Sequence, residues 1–202
     1  GKDWLESLEA VLVFIVPLFF AVPLYFMGLL TEVSGDLIIY PTYISCSIVV
    51  TKFNGRSLTE IGLMRKEFFP SLGNSLALVL TAAVVRLILS DWKISPDMNS
   101  LEAVAYNLFF WTLSGLGQEI LFRGLLLFSF DRWKGSKVAL LVSTLLFGII
   151  HVQRYRSASG LIMVSMIGGL WGWMALKYKN IVGPIIAHSL FNFIFSFILV
   201  SR

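Results

Sequence analysis

Charge is scarce in this sequence. Only 14% of its 202 residues are Asp, Glu, Lys or Arg, against about 25% in a typical soluble domain. That is too little polar surface to cover a water-facing globule, which excludes a soluble enzyme and a disordered tail. There are 16 basic and 12 acidic residues, a net charge of +4. The basic ones are dispersed between apolar runs without a dense patch, which excludes a nucleic-acid module. Cysteine is nearly absent. The single Cys46 permits no internal disulfide and no cysteine-based metal site, and in its apolar run it reads as a small packing residue. Histidine is limited to His151 and His188. No repeat, low-complexity stretch or soluble domain stands out, and no cleavable signal peptide. The opening Gly1 in place of Met reads as a scar of tag removal, with native residues expected before it.

Apolar residues are plentiful, at 57% of the chain, and mean hydropathy is +0.82. A bilayer core about 30 Å thick needs roughly 20 apolar residues of helix. Seven runs qualify, at about 7–30, 36–53, 71–90, 101–130, 137–152, 159–176 and 180–201. The predicted architecture is an all-α, polytopic transmembrane bundle. Residues 1–70 supply N-terminal helices and a cytoplasmic loop, and residues 71–202 a core. Pro17 and Pro23 are expected to kink the first run. The fourth is too long for a simple span and is expected to tilt, or to break at Gly115, Gly117 or Gly124. With seven spans, Lys2, Lys52, Arg56, Arg65, Lys66, Arg132, Lys134, Lys137, Lys177 and Lys179 share one side, whereas Lys93, Arg154, Arg156 and Arg202 share the other. The excess of basic residues marks the cytoplasmic face, so the N-terminus is expected in the cytoplasm.

A charge at membrane depth costs at least about 2.5–3.5 kcal/mol, yet polar residues cluster inside these runs. The fourth contains Gln118, Glu119 and Arg123, the fifth ends at Phe147 and His151, and the seventh carries His188 and Asn192. Glu119 and Arg123, Phe147 and His151, and His188 and Asn192 are each four residues apart, on one face of a helix. At about 1.5 Å of rise per residue, Gln118, His151, His188 and Asn192 lie about 12–21 Å above their cytoplasmic ends. Polar groups at nearly one level on three helices point into the bundle and suggest a site rather than scattered packing contacts.

The order Glu-Glu-x-x-x-Arg, Phe-x-x-x-His, His-x-x-x-Asn resembles that of the CPBP family, which includes type II CAAX prenyl proteases and bacterial Abi-type bacteriocin-processing and immunity proteins. The likeness covers about 110–202, with Phe122-Arg123-Gly124 intact. The upstream segment from Arg56 to Leu63 resembles the short stretch that precedes the family's core. The resemblance implies an intramembrane endopeptidase with its site on the last four helices. It assigns the first glutamate as general base, His151 to water positioning, His188 and Asn192 to the oxyanion, and Glu119 with Arg123 to bracing the site. One departure falls at the base itself: this chain has Gln118-Glu119. A carboxylate can take a proton from water and an amide cannot, so the chain as written is expected to be inactive. Two origins are open, a glutamate deliberately replaced to stop turnover, which the intact motif and Gly1 favour, or a natural relative that binds peptides or partners without cutting them, as scaffold or immunity factor.

His151, His188 and Glu119 could in principle hold zinc. With no His-Glu-x-x-His pattern and an amide at residue 118, no cofactor is the expectation. The expected partners are the bilayer and a membrane-anchored protein or peptide that enters in extended form, because helical backbone shields its own carbonyls. The short length favours a prokaryotic cell membrane. A transporter is disfavoured by the absence of inverted repeats. Arg86 reads as snorkelling or structural. Trp111, Trp171 and Trp173 read as packing or interfacial anchors, Gly168, Gly169 and Gly172 as close-packing positions, and Arg154 and Arg156 as a solvated loop.

Overall fold

The computed structural model describes residues 2–64, 66–89, 92–152 and 157–201. Arg154, Arg156 and the side chain of Arg86 lie outside the described residues. Among the described residues eight α-helices follow in order: α1 (Asp3–Phe26), α2 (Glu32–Phe53), α3 (Phe68–Leu89), α4 (Leu101–Glu119), α5 (Leu127–Lys134), α6 (Ser136–Ile150), α7 (Ala158–Tyr178) and α8 (Val182–Phe193). The π-helical segment Ile120–Leu126 joins α4 to α5, and a second, Ile194–Ile198, extends α8. Two three-residue strands, β1 (Trp92–Ile94) and β2 (Leu199–Ser201), pair antiparallel.

The chain is all-α in class. Among the described residues four helices are long and apolar enough to cross a membrane, namely α1, α2, Phe68–Val85 within α3, and α7; Ser136–Ile150 and Val182–Ile198 are apolar but shorter. Large apolar side chains such as Phe19, Phe20, Val49, Ile88, Phe109, Leu141 and Ile162 are exposed. Soluble proteins rarely show so much contiguous apolar surface; lipid tails are its matching solvent. The long fourth run does not break at a glycine. It continues from Leu101 to Lys134 through the π-helical segment, which contains Gly124. Helix α1 runs through both Pro17 and Pro23.

Helix starts are set by side-chain caps that satisfy orphan N–H groups. Thr31 Oγ1 accepts from Ser34 N at 3.1 Å while Ser34 Oγ accepts from Thr31 N at 2.8 Å. Ser100 caps α4 through Ala103 N, and Ser157 caps α7 through Gly160 N. Helix α4 lies against α2 and α8, α3 against α8, α6 against α5 and α7, and α1 against α2 and α5. The α3–α8 contact is backbone to backbone. A Cβ added at Gly183 would stand 2.5 Å from Ser71 C and 2.6 Å from Leu72 N. Gly183→Ala is therefore expected to cost about 1–3 kcal/mol, the range for overpacking a core that cannot yield, and to lower the thermal midpoint of the detergent-solubilised protein.

The Arg56–Leu63 segment forms a latch at the end that carries Asp3 and Arg132. Its turn Leu58–Ile61 begins with a capping box of Ser57 and Glu60 and ends at Gly62 with φ +82°, a left-handed conformation that glycine adopts without strain. Asn180 is buried and donates to Met64 O at 2.6 Å and Lys66 O at 2.9 Å, while Ile181 N donates to Gly62 O at 3.0 Å. Arg56 pairs with Asp3 at 2.8 Å, Glu60 at 3.3 Å and Glu6 at 3.4 Å, and Arg132 also pairs with Glu6. The Ser57 backbone N–H, with Arg56 beside it, holds the Glu60 carboxyl below its ordinary value. Its contribution to stability is thus complete above the ordinary glutamate pKa and is lost as pH falls through the lower folded value. Glu60→Gln is expected to lower the midpoint at pH 7 and to flatten its decline on acidification, as read by thermal melts from pH 7 to 3.

Candidate active site

The polar groups of α4, α6 and α8 meet at a cavity of about 370 Å³. Gln118, His151, His188 and Asn192 line it, with Phe147 and Trp171 as apolar wall and Asp36 and Tyr40 of α2 on its border. The structure thus brings Gln118, Glu119, His188 and Asn192 together, with His151 at the end of α6. Gln118, Glu119, Arg123 and His188 are buried, Glu119 and Arg123 completely so.

Gln118 is held by donors and acceptors from two helices. Its Nε2 donates to Ser114 Oγ at 3.1 Å and to Tyr40 Oη at 3.3 Å. Asp36, one turn earlier on α2, is a further hydrogen-bond partner of the Tyr40 hydroxyl. Gly117 makes this reach possible, since α4 passes so close to α2 that an added Cβ would lie 3.0 Å from Tyr40 Cα.

Glu119 faces the other way. Its Oε1 accepts from Arg123 Nη1 at 3.1 Å and contacts His188 Nδ1 at 2.7 Å. Arg123 donates from Nη2 to Gly168 O at 2.9 Å and lays its guanidinium over the Phe147 ring, 3.9 Å from the centroid. An added Cβ at Gly168 would fall 2.5 Å from Phe147 and 2.8 Å from Arg123 Nη2, so the arginine threads a gap that only glycine leaves open. The π-helical segment begins directly after Glu119 and is buried throughout. Such widened turns recur at functional sites.

The two imidazoles are oriented by acceptors on one nitrogen each. His188 presents Nδ1 to Glu119 and stacks on Trp171, centroids 4.8 Å apart at 28°. His151 Nδ1 lies 2.8 Å from Phe147 O; a carbonyl only accepts, so the proton is on Nδ1 and Nε2 is the acceptor nitrogen of the neutral ring. Among the described residues no three His, Cys, Asp or Glu side chains converge to hold a metal ion. Glu119 Oε1 serves Arg123 and His188, while its Oε2 has no hydrogen-bond partner.

Tyr40, Asp36 and Ser114 were not anticipated from the sequence. Ser114 precedes Gln118 by four residues and Asp36 precedes Tyr40 by four, the same spacing that marks the other pairs. Trp173 is half-exposed, as suits an interfacial anchor, whereas Trp171 is buried against His188.

Fold and surface together define a membrane-embedded helical protein with a largely apolar cavity into which a few polar side chains converge. Its residues 100–194 match the family model of type II CAAX prenyl endopeptidase Rce1-like proteins. The match begins at α4 and leaves α1 to α3 outside it, although α2 borders the cavity. No curated protein and no solved structure matches the chain.

Proposed function

We propose that this protein is an intramembrane endopeptidase of the glutamate type, built to cut near the terminus of a membrane-associated protein or peptide, and that glutamine at position 118 leaves it unable to cut. One observation carries the reading: Gln118, His151, His188 and Asn192, from three separate stretches of chain, line a single cavity within the stretch that matches the family model. A carboxylate at position 118 would take the proton of a water held by His151 Nε2. Asn192, and His188 as the imidazolium with both nitrogens protonated, would donate to the oxyanion that forms at the scissile carbonyl. Glu119 orients His188, and Arg123 neutralises and braces Glu119. No step is routed through a metal. The substrate enters as extended backbone, in a prokaryotic cell membrane, with the N-terminus and the Arg56 latch on the cytoplasmic side.

A second reading is a natural, non-cutting relative that binds membrane peptides as scaffold or immunity factor. It is favoured by the fit of the amide, whose N–H groups are taken up by Tyr40 and Ser114. The discriminating experiment expresses this chain and its Gln118→Glu form in a host lacking the native protein and compares membrane-protein termini by mass spectrometry. New termini with Gln118→Glu alone are expected from the first reading. Identical termini, with the same proteins co-purifying from both, favour the second. Cleavage by the Gln118 chain that survives His151→Ala would overturn the site.

A further inference from the structure

Among the described residues that line the cavity, Gln118 Oε1 and Trp171 Nε1 are buried polar atoms with no hydrogen-bond partner. Gln118 is 4% exposed and Trp171 is 2% exposed. Leaving a buried polar group unsatisfied is costly, and folded proteins leave few of them without a use. The two are opposite in kind. The amide oxygen only accepts, and the indole N–H only donates.

Both are held in orientation by neighbours. The Gln118 amide is pinned through Nε2 to Ser114 and Tyr40. Tyr40 uses its own proton toward Asp36, which keeps the amide nitrogen, not the oxygen, on the Tyr40 side. Trp171 is fixed by stacking on His188, itself tied to Glu119 at 2.7 Å. One fixed acceptor on α4 and one fixed donor on α7 complement a group that carries a donor and an acceptor pointing in opposite directions. A secondary amide is that group. Within a peptide its N–H and C=O are both free only when the segment is extended, because a helix consumes them internally.

We infer that Gln118 Oε1 and Trp171 Nε1 form a two-point clamp for one peptide unit of an extended segment, the peptide N–H donating to Gln118 and the peptide C=O accepting from Trp171. This rests on the proposed function, that the cavity takes a peptide, and adds the groups that grip it. Trp171, which the sequence reads as packing, becomes a substrate-binding residue. The clamp needs no base at 118, so binding persists in a chain that does not cut.

The test uses the full chain in lipid nanodiscs. The probe is a fluorescent, N-palmitoylated apolar heptapeptide, together with a series in which each backbone N–H is replaced in turn by an ester oxygen. Binding is read by anisotropy above that to empty nanodiscs. Trp171→Phe keeps the ring on His188 and removes the N–H, and is expected to weaken the parent peptide about tenfold. One ester position is expected to weaken binding to the native chain about tenfold, and to cost nothing further in Gln118→Met. Equal affinity of Trp171→Phe and the native chain, or an ester series without a sensitive position, overturns the clamp while leaving peptide binding intact. Should Trp171→Phe not fold, the ester series on the native chain decides alone. Failure of the parent peptide to bind the native chain overturns the proposed function itself, and the clamp with it.

Discussion

Gln118→Glu is expected to turn an inert protein into one that hydrolyses a membrane-anchored peptide, with a gain on the order of 10²–10⁴ in rate, the usual worth of a positioned general base. The exchange is isosteric, so the cavity keeps its shape. What changes is the direction of the hydrogen bonds. Tyr40 and Ser114 now accept from the amide, and both would have to donate to a carboxylate, which accepts only. The Tyr40 proton is also claimed by Asp36. Asp36→Asn in the Gln118→Glu background therefore bears on the base through Tyr40, and is expected to move the acidic limb of the rate profile rather than to abolish activity. In the same background His188→Ala or Asn192→Ala is expected to lower kcat by about 10²–10³, as for loss of an oxyanion donor, with a smaller change in KM. A chelator is expected to leave the rate unchanged. The measurement is single-turnover hydrolysis in nanodiscs. A Gln118→Glu protein as inert as its parent would remove the protease reading.

The tertiary arrangement was legible in part, and the reasons differ by element. The seven apolar runs all contain helices in the expected order, because burial in lipid leaves the backbone no partner but itself. Their starts were misjudged by several residues at α1, α2 and α3. Uniform apolarity hides a helix boundary, and the caps that set it, such as Thr31 with Ser34, are short polar pairs that resemble any loop. The π-helical segment after Glu119 had no signature, since a widened turn is decided by packing. Pairs four residues apart in mid-membrane were readable because charge is so costly there. Asp36 and Tyr40 have the same spacing, but a second run that begins at residue 36 puts the aspartate at its edge, where a charge carries no signal. The His188–Glu119 contact joins residues 69 positions apart, and no local pattern encodes such a pairing.

Arg123→Met is expected to be among the most damaging single substitutions outside the cavity. The guanidinium is fully buried and does three things at once: it pairs with Glu119, donates to Gly168 O at 2.9 Å, and covers Phe147 at 3.9 Å. Removing it leaves the Glu119 carboxylate in the core with His188 beside it, and an uncompensated buried charge costs about 3–5 kcal/mol. The freed Gly168 carbonyl adds to that loss. Arg123→Lys should rescue little, because a point charge cannot reproduce the planar fork that reaches Glu119 and Gly168 together while stacking on a ring. The double variant Arg123→Met, Glu119→Gln removes both charges and is expected to be more stable than Arg123→Met alone. The two losses are then strongly non-additive, as for residues sharing one network. Thermal melts of the four proteins in one detergent measure this directly. If the double variant falls by the sum of the single losses, Glu119 and Arg123 do not act as a pair. If it recovers, the charge at 119 is the liability, and the arginine was placed there to let a carboxylate orient His188 inside the membrane.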